Sequence, residues 1–417
     1  MMSDYCSYWY RKAIDEIRVG ARIGMVSTNT IRQTNTRESS LDLVVKEGGE
    51  IFNAIYEQKW SGASKVLVSI VNFVNKDRYI PQEDVEEAKK SEDYCARQRL
   101  LDGKKVDIIS PRLLSFNPEW EAKSLNENSD LAFVGCQPGG KGFFLTEEEV
   151  ISLIAKRKNN SECIKRYLGG SDIPRVPDNQ PRRYIIDFAN KKLEQCTQYV
   201  ELLEIVKKKV KPERDYNNRT SYKDNWWRFQ EPQMSMRVIV LSKAKFIAIC
   251  MTTKYPVFAV IDNREKDIIP SNKAVVIAWQ GWEKFGVLQS VFHKEWFDYQ
   301  CSTLKADPTY NNTFVFETFP FPYAMDEKIG IKAELLHGLR KAACTKENFG
   351  LTELYNQIEM GAYKEIKKIQ KELDKLVAKA YGFPVSKIKD REEIVRFLLE
   401  ENKKRYEAES IKLDKSA

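Results

Sequence analysis

Between Tyr5 and Val74 the hydrophobic period switches repeatedly between helical and strand-like, and no other feature constrains the fold as much. Tyr5 to Val19 sets Trp9, Ala13, Ile14 and Ile17 on one helical face and Arg11, Lys12, Asp15 and Glu16 on the other. Gly20 is placed to cap that helix. Arg22 to Ser27 predicts a short buried strand through Ile23, Met25 and Val26. Asn29 to Thr36 has loop chemistry, and Arg37 to Lys46 is helical again, closing at Gly48 and Gly49. Ile51 to Tyr56 and Lys65 to Val74 (KVLVSIVNFV) predict two strands joined around Gly62. Helix, strand, helix, strand, strand is half of an α/β sheet with an antiparallel pair at its end. The chain opens on a helix with no strand to cross over from, so the first half of the sheet is expected to be missing.

Lys76 to Lys105 is charged, with an acidic run over Glu83–Glu87, and predicts a solvated helix or linker with a domain boundary near residue 77. Ile108 to Phe321 mixes short strands, Pro/Gly turns and single helices. Glu147–Ala155 reads as a helix, Arg237–Ile249 and Ala274–Trp279 as strands. Val287–Gln300 reads as a helix with Val287, Leu288, Val291 and Trp296 inward; His293 on it reads as packed core rather than a base catalyst. The tail from Glu334 is helical. Ile366, Ile369, Leu373, Leu376, Val377 and Ala380 form one apolar stripe, stopped by Gly382 and Pro384.

Several chemistries are not supported. The eight cysteines are scattered with no CxxC pair, and the two histidines, His293 and His337, cannot build a metal triad. Reduced thiols, a start without a signal-peptide core and no apolar run of membrane-spanning length predict a cytoplasmic protein without a membrane partner. There is no GxGxxG, GxSxG or HExxH. The glycine-rich Gly135–Gly142 (GCQPGGKG) does not match a P-loop and predicts a flexible surface turn.

A net charge of +8 permits a nucleic-acid partner without demanding one. The informative segment is Lys207 to Lys245, where cations outnumber acids and Tyr216, Asn217, Asn218, Tyr222, Trp226, Trp227 and Phe229 are interleaved. Cations position a phosphate backbone, while Arg and Asn read base edges. The competing reading is a solvated helix end followed by a partly buried aromatic turn, with Trp226 and Trp227 as core.

These stretches, with others, carry a family resemblance. Phe314–Pro322 (FVFETFPFP), Gly286–Ser290 (GVLQS), Ser302–Lys305 (STLK), Lys211–Arg219 (KPERDYNNR) with Trp226–Phe229, Tyr167–Ile173 (YLGGSDI) and Gly24–Ile31 (GMVSTNTI) together resemble the MmeI-like type II restriction-modification DNA methyltransferases. The similarity runs from about Asp4 to Asn402.

The resemblance implies a class I, S-adenosylmethionine-dependent, adenine-specific enzyme that flips its target base out of duplex DNA. It implies a fold in which residues 1–76 are the second half of a Rossmann-like methyltransferase sheet and 77–107 a linker. Residues 108–325 would then be a mixed α+β target-recognition domain, and 326–417 a helical C-terminal region. The family's FxGxG-type cofactor loop and NPPY-type catalytic motif have no counterpart here, so no catalytic residue is identifiable and the chain alone is expected to be inactive. Its expected partners are double-stranded DNA and a separately encoded N-terminal methyltransferase half. The alternative is a non-catalytic specificity subunit docking onto a separate methyltransferase.

For the target-base pocket the resemblance points to the loop holding Tyr56, Gln58, Lys59 and Trp60, with Trp60 first and Tyr56 second as the aromatic face. Trp60 as a lid over the sheet edge is the competing reading. Ser27, Thr28 and Asn29 sit where open sheets place ligands, with capping by Asn29 as the alternative. Expected DNA-binding residues are Arg214, Asn217, Asn218, Arg219, Lys223, Lys243 and Lys245. Glu317 and the Pro320–Pro322 turn are expected to close the domain rather than touch DNA.

Overall fold

The computed structural model describes residues 4–62, 66–75, 99–304 and 307–414, so the expected linker falls largely outside the described residues. The chain divides into two compact units. One comprises Met1–Ala122, Asp298–Thr309 and Asp390–Glu400; the other comprises Lys123–Phe297, Tyr310–Lys389 and Glu401–Ala417.

The first unit opens on helix α1 (Cys6–Glu16). It buries Ser7, Tyr10 and Ile14, while Trp9 stays 47% exposed, so the buried face is rotated from the expected one. Tyr10 takes the inward place because its hydroxyl meets Ser27 Oγ at 3.1 Å. The helix stops at Ile17, whose backbone is extended, and Gly20, at φ +77°, turns the chain into the next strand.

Strand β1 (Arg22–Thr28) is longer than expected and mostly uncovered, with Val26 55% exposed. Asn29–Thr36, expected as loop, forms the 3-10 turn Asn29–Arg32 and runs into the short helix Thr34–Glu38. The helix expected over 37–46 occupies only Leu41–Lys46. Strands β2 (Gly49–Lys59) and β3 (Leu67–Asn75) pair antiparallel, and β3 pairs antiparallel with β1 as well.

The sheet continues where a linker was expected. Strands β4 (Arg99–Leu101) and β5 (Lys104–Val106) form a hairpin, β4 lying parallel to β2. The order β1-β3-β2-β4-β5 therefore places the antiparallel β2/β3 pair inside the sheet, not at its end. Polar Arg99, Lys104 and Lys105 hid this hairpin from a pattern search. Tyr10, Ile14, Leu41, Val44, Ile51, Ala54, Val71 and Phe73 fill the core beneath the sheet.

The second unit holds two four-stranded sheets. One is fully antiparallel: β6 (Ala132–Val134), β10 (Lys245–Cys250), β11 (Ala259–Asp262) and β13 (Ala274–Ala278), in the order β11-β10-β13-β6. Every residue of β13 is buried. The other holds β7 (Phe144–Leu145), β8 (Ile164–Leu168), β9 (Arg183–Ile186) and β12 (Ile268–Pro270), in the order β12-β8-β9-β7, with β12 parallel to β8.

The strand expected over Arg237–Ile249 is split. Arg237–Leu241 is a π-helical turn and only Lys245–Cys250 is strand. A β-branched run alone does not separate the two states. Here Asn263 decides, its Nδ2 donating to the carbonyls of Leu241 and Lys243. The helix expected over Val287–Gln300 is likewise two, Trp282–Gln289 and Val291–Gln300. Ser290 is extended between them, and Asp374 accepts from the Val291 N–H at 2.9 Å.

Helices Glu327–Glu347, Leu351–Glu359, Lys364–Ala380 and Arg391–Asp414 follow. The third buries Ile366, Ile369, Leu373, Val377 and Ala378. It ends as the sequence predicts. Gly382, at φ +68°, donates to Lys379 O and Phe383 to Ala378 O, a paired closure that needs a left-handed residue. Among the described residues no helix is long and apolar enough to cross a membrane.

Candidate functional site: an aromatic-arginine cleft and a basic turn

A cleft of about 110 Å³ opens in the first unit, lined by Arg32, Gln33, Tyr56, Glu57, Leu67, Asp298, Cys301, Pro308 and Arg391. A strand irregularity builds it. The β2/β3 register shifts between Ile55 and Gln58, so Tyr56 and Glu57 stand against a single partner position. On a regular strand these neighbours would point to opposite faces; a bulge re-aims them. Both line the cleft. The displaced backbone is satisfied locally: Tyr56 N–H donates to Asp102 Oδ1 at 2.8 Å, and Ser69 Oγ donates to Tyr56 O at 2.7 Å.

Tyr56 carries two guanidiniums against its ring, Arg32 at 3.7 Å and Arg391 at 4.3 Å from the centroid. Arg391 Nη2 also donates to the phenolic oxygen. Glu57 collects Arg32 Nη2 and Asn29 Nδ2 on one oxygen, both at 2.8 Å. The result is a half-buried aromatic ring bordered by charged hydrogen-bonding groups and backed by Leu67, Pro308 and Cys301. It suits a planar group with polar edges. Cys301 adds no nucleophile, because burial pushes its thiol up to about 12.

Of the three residues expected for a target-base pocket, only Tyr56 lines the cleft. Asn29 is fully buried beneath it as a support for Glu57. Trp60 lies outside the lining, 45% exposed, with its indole packed over Gly62, where a Cβ would come within 2.3 Å of Nε1. Ser27 and Thr28 bond Tyr10 and Thr30. Arg32, Glu57 and Arg391 were missed. Glu57 is adjacent to Tyr56, but the bulge that joins them leaves no trace in the hydrophobic alternation, and Arg391 is remote in sequence.

In the second unit the basic segment is a mounted turn. Lys207, Lys208 and Lys209 end helix Val200–Lys209, and the short helices Lys211–Asp215 and Thr220–Asp224 follow. Arg214, expected at a base edge, is only 1% exposed. Its Nη2 donates to the carbonyls of Pro138 and Arg228, and burial lowers its pKa. It anchors the turn. Asn217 Oδ1 accepts from Arg219 N–H, and Arg219 Nη1 donates to Tyr222 Oη. Asn218, Arg219 and Lys223 are exposed.

Lys243 is also exposed, whereas Lys245 is spent on Trp279 and Trp282, 4.1 and 5.0 Å from their ring centroids. Trp226 and Trp227 are 9% and 8% exposed, Trp227 Nε1 bonding Lys191 O. His293 is buried against Tyr310, and burial lowers it to about 3. The Glu317 backbone carbonyl accepts from Leu125 N–H at 2.9 Å.

Gly135–Gly142 is not the flexible surface turn expected. A Cβ on Gly135 would lie 2.2 Å from Ser271 O, and one on Gly142 2.5 Å from Lys209 Cβ. Its Cys136 is buried beside Arg237. Gly135 and Gly142 are there for close packing. Among the described residues, those present do not form a glycine-rich S-adenosylmethionine site.

The chain holds an α/β sheet unit and a mixed α+β unit bearing a basic turn, and comparison with known proteins shows what it is similar to. Residues 120–323 match the family described as MmeI, target recognition domain. The chain is 26% identical over 404 residues to DNA methyltransferase A of Bacillus subtilis (strain 168), covering 91% of this chain and 41% of that protein. Its fold matches the type IIL restriction-modification enzyme MmeI, solved in complex with DNA, at a TM-score of 0.68 and 21% identity, over 96% of this chain and 52% of that one. The chain thus spans about half the length, or less, of these relatives.

Proposed function

We propose that this chain supplies the sequence-recognition part of a restriction-modification DNA methyltransferase that modifies adenine with S-adenosylmethionine. The observation that carries the reading is the target-recognition match over 120–323, which encloses the exposed Asn218, Arg219 and Lys223 on their anchored turn. Lys223 and Lys243 neutralise backbone phosphates. Asn217, Asn218 and Arg219 stand where base edges are read; Arg214 holds the turn in shape. The Tyr56 cleft receives the flipped base, its ring stacking on the phenol while Glu57 and the arginines address the edges. The protein acts on chromosomal or invading DNA in the cytoplasm.

S-adenosylmethionine would supply an electrophilic methyl group. The sequence given provides neither an FxGxG-type loop nor an NPPY-type tetrapeptide, so a methyltransferase partner part outside it, on the same or another polypeptide, would supply both. Two observations support such a partner. β1 is the outermost strand of its sheet. Tyr5, Tyr8 and Trp9 pack on one another on α1 while 74%, 49% and 47% exposed.

Transfer of tritium from labelled S-adenosylmethionine to duplex DNA tests the proposal. The chain alone should give none, and a mixture with a polypeptide carrying the two motifs should give transfer to adenine. Transfer by the chain alone would overturn the assignment of parts. If the partner methylates at the same sites without this chain, the non-catalytic specificity subunit becomes the better reading.

A further inference from the structure

The two tyrosines of the basic turn have opposite fates. Tyr222 is engaged, with its hydroxyl accepting from Arg219 Nη1 at 2.9 Å and the guanidiniums of Arg214 and Arg219 lying 5.8 and 5.3 Å from its ring centroid. Tyr216 is 91% exposed, against 77% for Tyr323 and 74% for Tyr5. A side chain so uncovered gains nothing from folding, since it buries no apolar area.

Its mount, by contrast, is braced by hydrogen bonds. Tyr216 follows helix Lys211–Asp215, whose Pro212 fixes the first turn. Asn217 N–H donates to Arg214 O at 3.0 Å, and its Oδ1 accepts from Arg219 N–H at 2.9 Å. Arg214 in turn is buried and bound to two backbone carbonyls. The adjacent acid, Asp215, is paired with Lys211 at 2.8 Å. Exposed Asn218, Arg219 and Lys223 follow within the same segment.

We propose that Tyr216 is a stacking side chain that inserts at an unstacked step of duplex DNA while the flanking cations hold the phosphates. The proposal rests on the DNA-recognition reading above and adds to it a residue that contacts base faces rather than edges. An aromatic face stacks on any base, so Tyr216 contributes affinity and DNA distortion rather than sequence choice. The braced turn presents the ring, so little ordering of its backbone is required on binding.

The test uses the full chain and a duplex that it selects from a randomised pool, with 2-aminopurine replacing each adenine in turn. Wild type should raise the fluorescence at one position as that base unstacks. Tyr216→Ala should lose that signal and about tenfold in affinity, with the salt dependence unchanged. Tyr216→Phe should behave as wild type, because the ring acts and not the hydroxyl.

Wild-type affinity and fluorescence in Tyr216→Ala would overturn the proposal and leave the DNA reading standing, as would a Tyr216→Phe variant as weak as the alanine. A wild-type chain that retains no duplex from the pool would overturn both. Tyr216 buries nothing, so loss of fold does not confound the variants; circular dichroism checks it.

Discussion

Glu57 and Asp374 show how single carboxylates serve this molecule in opposite ways. Glu57 gathers Arg32 and Asn29, both buried, so its removal strands two buried donors. Glu57→Ala is expected to cost roughly 1–3 kcal/mol in urea unfolding, and Glu57→Gln less, since the amide oxygen still accepts. Asp374 is half-buried between Val291 N–H and Gln370 Nε2, and desolvation raises its pKa to about 6. Below the ordinary carboxylate range it is neutral in both folded and unfolded chains and costs nothing. Between that range and pH 6 the unfolded chain gives up the proton first, so stability falls as pH rises. Asp374→Asn keeps both hydrogen bonds and should be more stable than wild type at pH 7.5 by up to about 3 kcal/mol. The gain should vanish near pH 4 in paired thermal melts; a constant gain would mean that Asp374 is ionised throughout.

At the scale of elements, the glycine-rich loop and the buried Arg237–Asp187 pair hold the second unit's irregular backbone. Arg237 makes bonds of 2.6 and 3.1 Å to Asp187, and others to Pro232 O and Cys136 Sγ. Truncation to alanine leaves Asp187, 4% exposed, without its cation. Arg237→Ala should therefore cost roughly 3–5 kcal/mol. Gly142→Ala should cost roughly 1–3 kcal/mol, because its Cβ would meet Lys209 backbone as well as side chain. Chemical denaturation reads both, and a Gly142→Ala chain as stable as wild type would mean that the loop is mobile.

These same features mark where the sequence was legible. Period and caps located the helix Lys364–Ala380 and the strands β2, β3 and β13, because each is long or bounded by Gly. They failed where tertiary partners decide. Asn263 captures a π turn within a β-branched run, Asp374 caps a second helix after Ser290, and a polar hairpin joins the sheet at Arg99. The cleft was half legible: an aromatic at Tyr56 could be read, but a bulge and a remote Arg391 could not. Arg214 was misplaced because composition counts cations without distinguishing an anchor from a reader.

At the scale of the whole molecule, the target-recognition match over 120–323 supports the proposal of duplex recognition, in which the exposed cations would supply attraction and the turn discrimination. Lys223→Ala should weaken all duplexes alike and reduce the salt slope by about one, whereas Arg219→Ala should relax preference at one position. The most direct measurement is the affinity of the chain for a self-selected duplex and for its scrambled counterpart, across a salt series. The account predicts tighter binding to the selected duplex, with log affinity falling linearly with log salt for both. Equal affinity for the two duplexes, or binding indifferent to salt, would contradict it.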